Sequence, residues 1–283
     1  MSYRYYITEV FSEAPFGGNQ LATLVDAGEL DGEEMQKIAR AFNFAETTFI
    51  TGGSFETGFD VRIFTPASEL PFAGHPTLGT SYLIRNVIEK SDVRSLSLNL
   101  GVGPIQVTFG DDGVLWMKQN EPVFGETLDP AQVASELSLS RDQIDSGYPC
   151  QRVSTGLEFL VVPLNSYEAL KSARPPFGSE LAHGYLLFCT GGYEPEQQIQ
   201  ARMFAASLGV PEDPATGSAN GCLAAYLVEH EYFGRSTLDI RVGQGYEVAR
   251  PSQLYLRSEK LPGDFRVAVG GRVGLLADGR WLI

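Results

Sequence analysis

Positive charge is what this chain has least of. Its 283 residues carry 21 Lys and Arg against 35 Asp and Glu, a net charge of −14. A phosphate backbone or an anionic leaflet would be repelled, so nucleic acid and membrane surfaces are not expected partners. An anionic ligand would have to be held by local loop dipoles against that field. The five lysines (37, 90, 118, 171, 260) all lie outside the two loops considered below, which argues against a pyridoxal Schiff base there. Three widely spaced cysteines, Cys150, Cys189 and Cys222, form no disulfide framework and point to the cytoplasm. Cys189, in an apolar run, and Cys222, in a helix, read as small core residues. The three histidines have no metal-ligand spacing. No Gly-x-Gly-x-x-Gly follows a strand, and no phosphate loop with Gly-Lys-Ser/Thr is present. The first residues, MSYRYYITEVF, carry no apolar signal core, and no window approaches the roughly 20 apolar residues of a membrane helix. What these gaps leave is a cytoplasmic acid/base protein without cofactor or metal.

The most informative stretch runs from Asp60 to Ile84, DVRIFTPASELPFAGHPTLGTSYLI. Val61, Ile63 and Phe64 suit a strand. A loop follows, marked by Pro66, Pro71, Gly74 and Pro76. Leu78, Tyr82, Leu83, Val87 and Ile88 then fall near helical spacing. Proline suits a first helical turn, where its missing N–H costs nothing. Gly74-His75-Pro76 is therefore predicted at a helix N-terminus, a place that favours an anion. The pattern returns in 201–227, ARMFAASLGVPEDPATGSANGCLAAYL. Arg202-Met203-Phe204 echoes Arg62-Ile63-Phe64, Pro71 and Pro211 stand equally far beyond those arginines, and 215–218 leads into an alanine-rich helix. Two similar halves and chance are both open on pattern alone.

Along the chain, strands are predicted at 3–11, 21–25 and 45–51, with a Gly52-Gly53 turn, and a helix at 29–43. Paired strands are predicted within 94–109 and 113–119, turning at Asp112-Gly113. Composition shifts near 120–122, and a boundary is placed near residue 119. Residues 129–145 and 166–171 read as helical, and 153, 157–163 and 185–190 as strands. Short strands at 237–242, 246–249, 253–257 and 265–269 lead into a closing meander punctuated by Gly270-Gly271 and Asp278-Gly279. This is an α+β pattern, sheet around helix made twice, with domains at 1–118 and 119–269 and with 270–283 pairing back onto the first.

These motifs together carry a family likeness. Phe16-Gly17-Gly18-Asn19, Phe44 to Phe49, Arg62 to Pro66, Glu69 to Pro76, Gly79-Thr80, Ser154 to Leu157 and Glu212 to Ala219 lie in order over most of the chain. The sequence resembles the phenazine-biosynthesis isomerase family (PhzF-like proteins), which shares the diaminopimelate epimerase fold. One departure is Gln20, where the family usually has proline, expected to touch a turn and not the chemistry. The resemblance implies two pseudo-symmetric lobes, each a curled, mostly antiparallel sheet around a central helix, with both helix N-termini at a cleft. It also implies a homodimer, no cofactor, and isomerisation of a small carboxylate-bearing dihydro-hydroxyanthranilate by moving a proton along an allylic system. Carried over by motif, Glu46 is the general acid/base. His75, Asp213 and Ser218 line the substrate, and the backbone at Gly74 and Gly217 grips its carboxylate.

On their own the residues say less. Glu46 reads first as an exposed rim glutamate; partial burial would raise its pKa toward working pH. His75 reads as a loop stabiliser, Asp213 as a turn residue and Ser218 as a helix cap. His183 precedes a strand and His230 ends a helix. Related epimerases use one cysteine in each loop, and neither loop here has a thiol. A single glutamate returns a proton to the same face, so isomerisation is favoured over inversion. An amino-acid epimerase or racemase using Asp213 or His75 as second base, and a non-catalytic binding dimer, stay open.

Overall fold

The computed structural model describes residues 2–178, 181–206 and 210–282. They divide into two compact units, Met1–Met117 with Gly270–Ile283, and Lys118–Val269. In chain order the elements are β1 (Ser2–Val10), β2 (Asn19–Leu24), α1 (Gly32–Phe42), β3 (Glu46–Ser54), β4 (Gly58–Phe64), β5 (Glu69–Leu70), α2 (Gly74–Leu83), β6 (Ser95–Leu100), β7 (Gly103–Phe109) and β8 (Leu115–Lys118). There follow β9 (Val123–Leu128), α3 (Pro130–Glu136), β10 (Cys150–Ser154), β11 (Glu158–Pro163), α4 (Tyr167–Ser172), β12 (Tyr185–Thr190), β13 (Ile199–Ala205), β14 (Val210–Asp213) and α5 (Gly217–Glu229). The chain closes with β15 (Thr237–Gln244), β16 (Ser252–Leu261), β17 (Asp264–Gly271) and β18 (Val273–Leu282). The fold class is α+β.

Each unit winds sheet around one buried helix. In the first, nearly every residue of α2 is buried, and the helix packs on β1, β2, β3, β6, β7 and β18. Gly79 permits this approach: a Cβ there would lie 2.6 Å from Leu21 Cδ2 and 2.9 Å from Val10 Cγ2. In the second unit α5 is buried along most of its length against β10, β11, β12, β15 and β16. A helix buried all round has no polar face, so an apolar stripe cannot reveal it from sequence. The amphipathic α1 is different, setting Met35, Ile38 and Ala39 against Leu24, Phe49 and Phe64.

Strand pairing in the two units follows one scheme. In the first, β1–β2 is antiparallel, β2–β3 parallel, β3–β4 and β4–β5 antiparallel, β4–β6 parallel and β6–β7 antiparallel. In the second, β10–β11 is antiparallel, β11–β12 parallel, β12–β13 and β13–β14 antiparallel, β13–β15 parallel and β15–β16 antiparallel. The register also fixes which residues correspond. Ile63 pairs with Leu70 as Met203 pairs with Asp213. Arg62 binds Glu69 through Nε and Nη2, and Arg202 binds Glu212 through the same two atoms. The true echo is thus Glu69-Leu70-Pro71 with Glu212-Asp213-Pro214. Pro211, at the same distance from its arginine as Pro71, is not the counterpart, because the second copy is three residues longer before its glutamate. Part of that longer connection, 207–209, lies outside the described residues.

Several local expectations are corrected. Gly52-Gly53 is not a turn: β3 runs through both, bulged between Ile50 and Gly52, and the turn comes at 55–57. Gly53 has φ +98° and approaches Gly58 O so closely that a Cβ would sit 2.2 Å from it. A glycine pair marks close backbone approach as readily as a turn. Residues 246–249 are not a strand but a short 3-10 turn, Tyr246–Val248, between left-handed Gly245 and Ala249. Gly270-Gly271 and Asp278-Gly279 lie inside β17 and β18, and Gly279 sits opposite Tyr5, whose ring leaves no space for a Cβ. The helix expected over 129–145 is α3 and a separate 3-10 turn, Arg141–Gln143, and α1 starts at Gly32, behind a 3-10 turn at Ala27–Glu29. Val87 and Ile88 fall in a π turn, Ile84–Ile88, that ends α2. Strand β18 pairs antiparallel with β1.

Candidate active site

Glu46 opens β3, in parallel register with Leu21 of β2. His75 is the second residue of α2. The fold brings His75 Nε2 to 3.4 Å from Glu46 Oε2, with the side chains 6% and 17% exposed. Glu46 is therefore not the exposed rim residue that its strand suggests. Burial pushes the His75 pKa down to about 3, against the opposing pull of a hydrogen bond to the Gln20 backbone. The ring is neutral near pH 7, so the contact is not an ion pair.

That hydrogen bond also selects the tautomer. Nε2 has no hydrogen bond of its own, so the ring reaches the Gln20 carbonyl through Nδ1–H. A neutral ring protonated at Nδ1 presents a lone pair at Nε2. The contact becomes a hydrogen bond when Glu46 carries a proton and donates it.

Gly74 is the first residue of α2, behind Ala73, which has no side chain to cap the helix. Thr77 Oγ1 donates back to Ala73 O at 2.8 Å. The other helices of comparable setting are closed: Asp31 caps α1, Asp129 caps α3 and Ser166 caps α4, each accepting a backbone N–H. Only α2 and α5, among the described α-helices, start without a side-chain cap or an acid in the first turn. Unpaired first-turn N–H groups are what an anion binds.

In the second unit Asp213, Gly217 and Ser218 gather at the start of α5, with Asp213 and Ser218 half-buried. Asp213 accepts from Thr216 Oγ1. Gln244, fully buried on β15, ties the turn together: its Nε2 donates to Asp213 O at 2.8 Å, and its Oε1 accepts from Asn220 Nδ2 at 2.8 Å. Asn220 Nδ2 also donates to Thr216 O at 3.0 Å, as Thr77 does to Ala73 in the first unit.

The six predicted site residues thus fall into two groups, Glu46, Gly74 and His75 in one unit and Asp213, Gly217 and Ser218 in the other. Thr216, Asn220 and Gln244 were missed. Gln244 is far in sequence and lies in an ordinary strand, with no local signal; Asn220, at i+4 from Thr216 in a helix start, was the findable one. Gln20 is not in a turn but in β2, opposite Glu9, and its backbone holds His75. A proline there would offer the same carbonyl, so the exchange leaves this contact possible. His230 is the C-cap of α5, and its Nε2 meets Gln151 Oε1 at 2.7 Å. All three thiols are buried, each with its pKa raised by desolvation to about 12. Among the described residues no group of three His, Cys, Asp or Glu could hold a metal ion, and no helix is long and apolar enough to cross a membrane.

The family of phenazine biosynthesis-like proteins, PhzC-PhzF, matches residues 8–279. The chain belongs to this family. A relative in Pseudomonas aeruginosa, trans-2,3-dihydro-3-hydroxyanthranilate isomerase, is 34% identical over 284 residues, covering 98% of this PhzC-PhzF protein and 99% of its own chain. The Bacillus anthracis phenazine biosynthesis protein of the PhzF family has the same fold, with a TM-score of 0.89 over 100% of both chains at 24% identity. The fold extends to a hydroxyproline epimerase from Agrobacterium vitis, with a TM-score of 0.58, 10% identity, and coverage of 99% and 92%. The resemblance carried by the loop motifs is therefore that of a family member.

Proposed function

We propose that this PhzC-PhzF protein is a cofactor-independent isomerase of a small carboxylate-bearing substrate of the dihydro-hydroxyanthranilate type. The single observation that carries the reading is the half-buried Glu46 carboxyl, its Oε2 enclosed and 3.4 Å from a neutral imidazole at the start of an uncapped helix. Glu46 takes a proton from an allylic carbon and returns it elsewhere on the same face. In between it is a carboxylic acid, and His75 Nε2 accepts its hydrogen bond and fixes its direction. The backbone at Gly74, at the uncapped start of α2, holds the substrate carboxylate. Thiols shifted to about 12 are poor acid/base groups at pH 7, which speaks against two-thiol inversion. A homodimer in the cytoplasm remains part of this reading, and sedimentation at several concentrations checks the dimer.

The test is incubation with trans-2,3-dihydro-3-hydroxyanthranilate in D₂O, read by NMR. A shifted double bond is expected, with deuterium at the new carbon to the extent that the proton on Glu46 exchanges with solvent before it is returned. Glu46→Gln should lower kcat on the order of 10²- to 10⁴-fold. Full activity of that variant, or inversion at a carbon without movement of the double bond, would overturn the proposal.

A further inference from the structure

A run of three buried hydroxyls crosses the core of the first unit. Thr23 Oγ1 on β2 lies 2.8 Å from Thr48 Oγ1 on β3, which lies 2.9 Å from Thr80 Oγ1 on α2. All three residues are 0% exposed. Thr48 is two residues beyond Glu46 and shares its strand face. Thr80 lies on the helix that carries His75. The chain of hydroxyls thus joins the strand of the acid to the helix of the imidazole.

The second unit supplies an internal control. Arg62 pairs with Phe49, and Arg202 with Leu187, so Thr48 corresponds to Leu186 and Glu46 to Gly184. Thr23 pairs with Thr48, and Val161 with Leu186, so Thr23 corresponds to Val161. Thr80 and Leu223 are each the seventh residue of their helix, α2 and α5. Val161, Leu186 and Leu223 are likewise 0% exposed. The same three places in the same topology are therefore filled by aliphatic side chains where the unit has no counterpart of Glu46. Folding does not demand the hydroxyls, and burying them carries a desolvation cost that aliphatic residues avoid.

We infer that Thr23, Thr48 and Thr80 are positioning residues that hold β3 against α2 and so fix the distance and direction between Glu46 and His75. Hydrogen bonds are directional, whereas aliphatic packing leaves a helix more latitude to slide. An acid that must meet one carbon and then another on one face depends on such a fixed register. Displacement of about 1 Å costs up to about 10²-fold in rate. This inference rests on Glu46 as the proton carrier.

Three variants test it: Thr48→Val, which removes both hydrogen bonds at nearly constant shape; Thr48→Ser, which keeps the hydroxyl; and the triple variant T23V/T48L/T80L, which copies the second unit. Thr48→Val and the triple variant are expected to fold, to keep KM within about twofold and to lose about tenfold or more in kcat. Thr48→Ser should recover most of the loss. Nitrogen-15 spectra of the His75 ring report the same geometry without turnover. The wild type and Thr48→Ser should show one Nδ1–H tautomer, and Thr48→Val a shifted or exchange-broadened signal. If the wild type fails to turn over the substrate, the functional reading falls, while an unchanged His75 signal in Thr48→Val would separately overturn this inference. Unchanged kcat in the folded Thr48→Val variant overturns it too. So does failure of both apolar variants to fold, since the hydroxyls would then serve the fold itself.

Discussion

The two arginine–glutamate pairs are the same device in two settings. Arg62 and Glu69 join β4 to β5 with side chains 37% and 43% exposed; Arg202 and Glu212 join β13 to β14 with side chains 6% and 9% exposed. Each guanidinium also lies over the ring two residues on, Phe64 at 5.1 Å and Phe204 at 4.7 Å. Only the buried copy does more, its Nη1 donating to the carbonyls of Leu170, Lys171 and Ala173 at the end of α4. The comparison separates what the topology requires, a strap between two strands leading to the central helix, from what each setting adds. It also shows where chemistry parted company with architecture. The place of Glu46 is taken in the second unit by Gly184, where a Cβ would lie 2.6 Å from the Phe159 ring. The place of His75 is taken by Ser218.

The sharpest way to break the comparison is Arg202→Ala. It strands the Glu212 carboxylate and three carbonyls, and removal of one partner from a buried pair costs about 3–5 kcal/mol. Urea unfolding monitored by circular dichroism measures the loss. A loss under about 1 kcal/mol would mean that burial does not distinguish the two copies.

A second contrast is between His75, which titrates, and Ser218, which does not. Burial lowers the folded-state pKa of His75 from 6.5 to about 3. Below pH 6.5 the unfolded chain binds a proton that the folded chain refuses, so stability from this group is present above pH 6.5 and is lost as pH falls toward 3. The loss approaches about 1.4 kcal/mol per pH unit inside that window. His75→Gln should flatten the stability profile between pH 6 and pH 4 relative to the wild type. Parallel profiles for the two proteins would contradict a neutral buried imidazole.

How much of this could be read beforehand divides along physical lines. The start of α2 was legible because Pro76 and Gly74 act locally, and α1 because acids lead it and Arg40 ends it. The length of the echo was misread at Pro211, since spacing in sequence is blind to a connection that grows by three residues while the strand register stays fixed. The turns assigned to Gly52-Gly53, Gly270-Gly271 and Asp278-Gly279 failed for one reason: glycine was admitted there by a neighbouring backbone or ring, and only the third dimension shows which. Glu46 and His75 were candidates through the family motifs. Their contact is set by α2 packing on β2 and β3 through Gly79, Thr48 and Thr80, which no local pattern encodes. Gln244, placed by strand pairing beside Asp213 and Asn220, was hidden for the same reason.

The smallest expected effect belongs to the exposed strap, and it completes the comparison. Arg62→Ala removes a bidentate pair, yet both partners are well solvated and Glu69 can rehydrate once released. Such pairs contribute about 0.2–1 kcal/mol, and the Phe64 ring contact adds on the order of 0.5 kcal/mol. A double-mutant cycle with Glu69→Ala isolates the coupling from the packing of the arginine stem. That coupling should shrink at 1 M salt, where the screening length is about 3 Å, while the cost of Arg202→Ala should hardly move because water and ions do not reach its partners. If instead the Arg62–Glu69 coupling is large and insensitive to salt, the exposed strap is as structural as the buried one. The shared geometry, not the difference in solvent access, would then be what both units rely on.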